Sequence, residues 1–326
     1  LNVPAVALLA RVGADRLYTL LAEVGVEVPA PAAEYGLALT LGAGEVRLLD
    51  LTNAYATLAR LGLHRPCRLL ADTPVADGTR VLDAGACFLV AEMLTDLERV
   101  GNGVLWKSAR SQMRMAWKTG TSWGLRDAWT FAYTPRFTVG VWLGNPDGRP
   151  AHRLVGVESA APLAAELLEF AHGGREPAWY APPPNVGQRR VCTVSGMPAG
   201  PHCPLTTTTA CLNRCSDRRR CTVHRQVLVD DATGKRLCPR CRGQRPCHRE
   251  VVEVWSPPVE AWLTAVRGRE RPGHLQICTR PGGELRPPTI LQPADGQVFV
   301  YRAGAARQRL RLRGSGSGRL YWFVDG

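Results

Sequence analysis

The chain has 326 residues, 45% of them apolar and 21% charged, an ordinary globular balance that excludes wholesale disorder, collagen and a coiled coil. That length suits one large domain or two to three ordinary ones, and no uninterrupted apolar run reaches the ~18 residues that a membrane-spanning helix needs. Charge is uneven: residues 1–172 carry 16 basic and 17 acidic side chains, residues 173–326 carry 25 and 11, so the net +13 sits in the second half.

In chain order, residues 2–11 predict a helix with Pro4 in its first turn. Val6, Leu9, Leu17, Leu20, Leu21 and Val24 fit one buried helical face. Residues 36–44 are small and glycine-spaced, and residues 45–59 predict an amphipathic helix that Gly62 ends. Another helix is expected over 87–100. A short apolar run, Met115 to Trp117, leads into Lys118-Thr119-Gly120-Thr121-Ser122. Residues 129–133 and 137–143 have strand composition, with Thr134-Pro135-Arg136 as the turn between them. Residues 159–172 predict a closing helix. The proline-rich stretch 173–190 reads as a linker. Residues 191–285 are rich in Cys, Arg and Pro, and strands are expected at 289–301, 309–313 and 320–324 around a glycine-rich loop. The chain opens on Leu1, has no signal peptide at its start and closes on strand-like residues, so a segment cut at both ends is expected.

Only three of the 41 basic residues are lysines: Lys107, Lys118 and Lys235. Lys118 opens the one compact chemical motif. A phosphate loop requires glycine directly before its lysine, and Trp117 stands there. The better match is the Lys-Thr-Gly box of serine acyl-transfer enzymes, which lies on a sheet-edge strand facing the reacting centre. The residue types suit that work. Lys118 supplies positive charge beside a nucleophilic serine and an incoming carboxylate. The Thr119 and Thr121 hydroxyls can bind that carboxylate. Gly120 lets substrate backbone lie against the strand, and the Thr121 backbone N–H is a candidate oxyanion donor. The competing reading is a basic turn before a hairpin.

Residues 37–42, 45–56, 118–129, 131–135 and 139–144 together resemble the class A penicillin-binding proteins over about residues 1–172. Residues 191–204, 229–238, 290–296 and 320–326 resemble the tail of one branch of that family. The resemblance implies an α/β transpeptidase fold of the penicillin-binding and serine β-lactamase type, an antiparallel sheet packed with helices, over 1–172. A Cys/Arg-rich connector comes next over 173–285, and a small β-sandwich-like module begins at 286–326. The family builds its site from Ser-x-x-Lys, Ser-x-Asn and Lys-Thr-Gly. The third motif is complete. Asn2 resembles the end of the second, with its serine just upstream, although taken alone Asn2 reads first as a plain helix N-cap. The first is absent: the positions three before the lysines hold Val104, Met115 and Ala232.

The activity implied by the resemblance is peptidoglycan cross-linking by serine acyl transfer on D-Ala-D-Ala stem peptides, in a parent that also carries an upstream glycosyltransferase domain and membrane anchor. Lys118 and Thr121 would be catalytic; Asn2, Thr119, Gly120, Thr121, Ser122 and Trp123 would bind substrate. Implied partners are stem peptides, the lipid-linked precursor, β-lactams and other cell-wall synthesis proteins, on the periplasmic side of the inner membrane, with no cofactor required. Alternatives are a D,D-carboxypeptidase or β-lactamase, and a scaffold whose site no longer works.

Asp127 is expected in a salt bridge with Arg126 or another arginine more than in catalysis. Trp117, Trp129 and Trp142 are expected in the core or cleft wall, and Trp123 lining the cleft. Nine of the 11 cysteines fall between Cys192 and Cys278. Cys238 and Cys241 have zinc-knuckle spacing, with Cys203, Cys211, Cys215, Cys221, Cys247, His202, His224 and His248 as possible partners. Disulfides are the competing reading in an oxidising compartment. Cys67 and Cys87 read as core thiols. Arg218-Arg219-Arg220 is the one tight basic run and has no interleaved aromatics, so nucleic-acid binding is not expected.

Overall fold

The computed structural model describes residues 2–95, 113–150, 155–268, 273–275, 289–292 and 312–315. The end of the helix expected to run to Val100, Lys107, Cys278 and most of the strands expected beyond Gln292 lie outside them. Contacts divide the chain into two units, Leu1–Cys221 and Thr222–Gly326.

The first unit opens with helices α1 (Asn2–Val12), α2 (Ala14–Glu23) and α3 (Ala32–Tyr35) and a 3₁₀ turn, Gly36–Leu41. Leu9 and Val24 enter one apolar cluster with Val26, Val28 and Leu39, as their spacing predicts. Helix α4 (Leu48–Ala59) starts three residues later than expected, because Arg47 stays extended and its guanidinium bonds Asp50 at 2.6 Å. The short strands β1 (Leu63–His64) and β2 (Thr79–Arg80) pair antiparallel. Helix α5 (Ala84–Leu94) starts three residues earlier than expected, because the Asp83 carboxylate accepts the Ala86 N–H at 2.8 Å and caps it.

Strands β3 (Ala116–Thr121), β4 (Asp127–Tyr133) and β5 (Thr138–Gly144) form an antiparallel meander with β4 in the middle. The turn expected at residues 134–136 is closed by the Thr134 N–H donating to the Phe137 carbonyl at 2.8 Å. Alternation then assigns the two faces. Trp117, Ala128 and Ala132 pack against Ala160, Ala161, Ala164, Ala165 and Leu168 of helix α6 (Ala160–His172). Ala116 and Tyr133 pack on the other face with Ala59 of α4 and Ala91 of α5, and Tyr55 stacks on Phe131 at 4.6 Å. The small side chains on α6 let it approach the sheet closely.

The stretch after α6 is not a loose linker. Trp179 donates its indole N–H to Glu92 at 2.6 Å, the Tyr180 hydroxyl donates to the Ala59 carbonyl at 2.8 Å, and Asn185 donates to Asp83 at 3.0 Å. Arg114 lies 4.4 Å over the Trp179 ring. Two aromatics with polar handles dock a segment whose proline content alone reads as free. Strands β6 (Val186–Cys192) and β7 (Thr206–Leu212) come next as a hairpin.

Asp83 therefore joins the start of α5 to the docked segment. Its carboxyl is held below the usual carboxylate range, first by the Ala86 N–H and then by Asn185. A lowered folded-state pKa means this stabilisation is complete above the unfolded value of 3.8 and is lost as pH falls through the folded value. Asp83→Ala is expected to lower the melting temperature at pH 7, and the gap from wild type to narrow steadily below pH 4. A gap that does not change between pH 7 and pH 2 would remove the carboxylate from this account.

The second unit holds β8 (His224–Asp230), β9 (Arg236–Leu237), helix α7 (Pro239–Arg242), β10 (Cys247–Glu253) and helix α8 (Pro257–Arg267). Its sheet runs β10-β8-β9, so the Cys/Arg-rich stretch has an ordered core of its own, with Val229, Leu237, Val252 and Leu263 buried. Asp230 is buried too. Its carboxylate accepts the Ala232 N–H at 3.0 Å and pairs with Arg245 at 3.1 Å. Of the expected terminal β module, β11 (Thr289–Gln292) and β12 (Arg313–Ser315) are described and pair antiparallel. No helix among the described residues is long and apolar enough to cross a membrane.

Candidate active site

The Lys-Thr-Gly box lies on β3, at the edge of the meander as far as the described residues extend. Register decides what that edge offers. Ser122 donates its N–H to the Asp127 carbonyl at 3.0 Å, and the pairs inward from there are Thr121 with Ala128, Gly120 with Trp129, and Thr119 with Thr130. Hydrogen-bonded and non-hydrogen-bonded pairs alternate in an antiparallel ladder. Gly120 and Lys118 therefore share the hydrogen-bonded class of Ser122. The backbone N–H and C=O groups of Thr119 and Thr121 point away from β4, along the sheet edge. These are the groups that an added extended peptide needs.

Side chains divide by the same alternation. Lys118 and Gly120 share the face of Ala116, which packs with α4 and α5 residues, and Trp129 and Phe131 stand beside them on β4. Trp129 and Phe131 rings lie 5.9 Å apart, and Trp129 and Trp142 rings 6.3 Å apart, forming an aromatic wall. Lys118 is exposed and its ammonium donates to the Thr119 carbonyl. Thr119 and Thr121 occupy the opposite face. There the Thr121 hydroxyl accepts the Gly156 N–H at 3.1 Å, while Thr130 donates to the Gly156 carbonyl at 3.4 Å. Gly156 thus straps the strand end to the turn that starts α6.

The two glycines differ. A Cβ on Gly156 would lie 2.6 Å from the Gly120 carbonyl oxygen and 3.0 Å from that of Trp129, so glycine is demanded by packing. A Cβ on Gly120 would meet nothing nearer than Trp129 Cβ at 3.6 Å, an ordinary contact, and its backbone has no positive φ. Neither fold nor backbone requires glycine at 120. The space above it lies open on the face that Lys118 shares.

No protein-family profile matches the chain. Penicillin-binding protein 1C of Escherichia coli (strain K12) is 30% identical over 343 aligned positions, covering all of this chain and 44% of that protein. Penicillin-binding protein 1B of Vibrio cholerae is 27% identical over 184 positions, 52% of this chain and 23% of the relative. The chain is a relative of the penicillin-binding proteins. The chain spans less than half the length of these curated relatives. The crystal structure of penicillin-binding protein 1A from Haemophilus influenzae matches with a TM-score of 0.56 at 18% identity, over 68% of this chain and 40% of that one, a likeness of fold. The helices and antiparallel sheet described above accord with that fold.

The remaining expected site residues fall in different places. Asn2 is exposed in the first turn of α1, whose chief packing partners are α2 and the 3₁₀ turn. The Ser122 hydroxyl accepts the Asp127 N–H at 2.8 Å and closes the β3–β4 turn. Trp123, expected to line a cleft, stands 89% exposed at the tip of that turn, since Gly124 and Leu125 take left-handed backbone there. Asp127 makes no ion pair among the described residues. Its carboxylate instead accepts the Trp142 indole N–H at 2.9 Å, because pleat and pairing bring the two side chains to one face. Trp117 is buried against α6 as expected.

Cys87 is buried, and burial pushes its thiol up to about 11, but Cys67 is exposed, correcting its expected place in the core. None of the ten cysteines other than Cys278 is joined in a disulfide. The sulfurs of Cys192, Cys203 and Cys221 lie within 4.8 Å of one another. Cys238 and Cys241 do come together, but their third neighbour is His274, a residue that sequence spacing did not single out.

Proposed function

We propose that this chain supplies the Lys-Thr-Gly strand of a D,D-transpeptidase that cross-links peptidoglycan stem peptides. The observation that carries the reading is the β3 edge. Outward backbone groups at Thr119 and Thr121, the Lys118 ammonium and an open surface over Gly120 lie along one short stretch. An extended peptide ending in a carboxylate would pair with that edge, its terminal charge drawn to Lys118.

The nucleophile comes from outside these 326 residues, because no serine stands three before any lysine. A serine of an upstream Ser-x-x-Lys attacks the carbonyl of the D-Ala-D-Ala bond, and its proton passes to a neighbouring base. The tetrahedral oxygen is held by backbone donors that include the Thr121 N–H. The C–N bond breaks, D-Ala leaves with the proton, and an acyl-enzyme remains. The amine of a second stem attacks that ester, forms the cross-link and returns the serine. Lys118 favours this sequence by keeping positive charge beside the serine–lysine pair and the substrate carboxylate. Asn2 would complete a Ser-x-Asn motif and bond the substrate backbone. The parent also polymerises glycan through a domain upstream, is anchored there to the inner membrane, and works on its periplasmic side with other cell-wall synthesis proteins.

The test is intact mass of the full-length protein after penicillin. One adduct per chain, on an upstream serine, is expected. A folded protein that takes no adduct would leave the chain as a scaffold of the same fold. Release of free acid in place of cross-linked product from a stem-peptide substrate would make it a carboxypeptidase.

A further inference from the structure

We propose that the second unit binds one zinc ion through Cys238 Sγ, Cys241 Sγ and His274 Nε2. The two sulfurs lie 3.6 Å apart, and Cys241 Sγ lies 3.6 Å from His274 Nε2. Zinc–sulfur bonds of about 2.3 Å and zinc–nitrogen bonds of about 2.0–2.1 Å at tetrahedral angles give edges of about 3.8 Å for S···S and about 3.6 Å for S···N. These two edges already match the spacing a tetrahedral ion imposes, and the third, Cys238 Sγ to His274 Nε2, is within 4.8 Å. The third donor favours a metal over a simple disulfide, which would use the two sulfurs alone.

Each donor is held by backbone. Cys238 and Cys241 flank the first turn of α7, where the N–H of each residue donates to the sulfur of the other, at 3.1 Å from Cys238 to Cys241 Sγ. His274 is far away in sequence and is brought in by a parallel bridge: Arg236 donates to the Gly273 carbonyl at 2.9 Å and Leu275 donates to the Arg236 carbonyl at 3.1 Å. The other imidazole nitrogen, Nδ1, faces the Leu275 carbonyl at 3.1 Å. A proton on Nδ1 makes that bond and leaves Nε2 bare toward the sulfurs, the second-layer contact that orients metal-bound histidines.

The donor chemistry selects the metal. Two thiolates and one imidazole suit zinc over the hard, oxygen-seeking cations. Binding releases the two thiol protons, and the resulting centre is neutral, which Arg240 and Arg242 in the same turn tolerate. The fourth position is taken by water or another donor. The centre would tie β9, α7 and the 273–275 segment together.

Metal content of the full-length protein, purified without chelator or reductant, tests this. Cys238→Ser and His274→Ala are expected each to lose about one zinc per chain relative to Cys215→Ser, a control at an exposed thiol outside both sulfur clusters. Cobalt-loaded wild type should show thiolate-to-metal absorption that Cys238→Ser reduces, a readout confined to folded, loaded protein. Zinc content unchanged in both variants would overturn the proposal, as would a Cys238–Cys241 disulfide in the unreduced peptide map. Should Cys238→Ser fail to fold, His274→Ala, at an accessible side chain, decides alone.

Discussion

Replacing Lys118 with alanine is expected to slow penicillin acylation of the full-length protein by about 10²- to 10³-fold, with the melting temperature unchanged. The fold has little stake in this side chain, which is exposed on an edge strand. The site has a large one. A unit charge about 4 Å from a carboxylate is worth about 4 kcal/mol at an effective dielectric near 20, and solvent at an open edge reduces that figure. The remainder still amounts to two or three powers of ten in rate. Arginine at 118 keeps the charge but carries a broad planar head, so Lys118→Arg should recover only part of the loss. Acylation by Lys118→Ala at the wild-type rate would remove β3 from the chemistry and favour the basic-turn reading of the motif.

The motif is legible in the sequence because its chemistry is local: five consecutive residues fix charge, hydroxyls and backbone freedom together. Strands β4 and β5 and their turn are legible for the same reason. Long-range pairing decides the rest. Which neighbours the Lys118 and Gly120 face meets depends on the β3–β4 register, and that register sets them beside Phe131 and Trp129. Asp127 sits beside an arginine in sequence and bonds a tryptophan from the next strand in space. The docked segment after α6 looks like a linker until Trp179 and Tyr180 are given partners about 90 and 120 residues earlier in the chain. His274 reaches the Cys238–Cys241 pair by a bridge between backbones, which no ligand-spacing rule encodes. The start of α5 is the exception, because an aspartate before a helical run is a sequence signal and Asp83 carries it.

The glycine pair at the site gives the second large effect, and its two halves point in opposite directions. Gly156→Ala is expected to cost about 1–3 kcal/mol of stability, because the new methyl meets two carbonyl oxygens of paired strands that have little freedom to move. Acylation should fall with it, since relief requires shifting the end of β3, where the Thr121 hydroxyl is strapped to the Gly156 N–H. Gly120→Ala is expected to leave the melting temperature equal or slightly higher. Its methyl makes only an ordinary contact, and glycine within a strand is a weak choice for the fold alone. Acylation should nevertheless drop by about tenfold or more, about 1.4 kcal/mol of barrier, because that methyl occupies the surface over which the peptide lies. Thermal melts and acylation rates on both variants separate the two roles. If Gly120→Ala destabilised the protein as much as Gly156→Ala does, position 120 would be a packing glycine. If it neither destabilised nor slowed acylation, the peptide would lie elsewhere than on the face of Lys118.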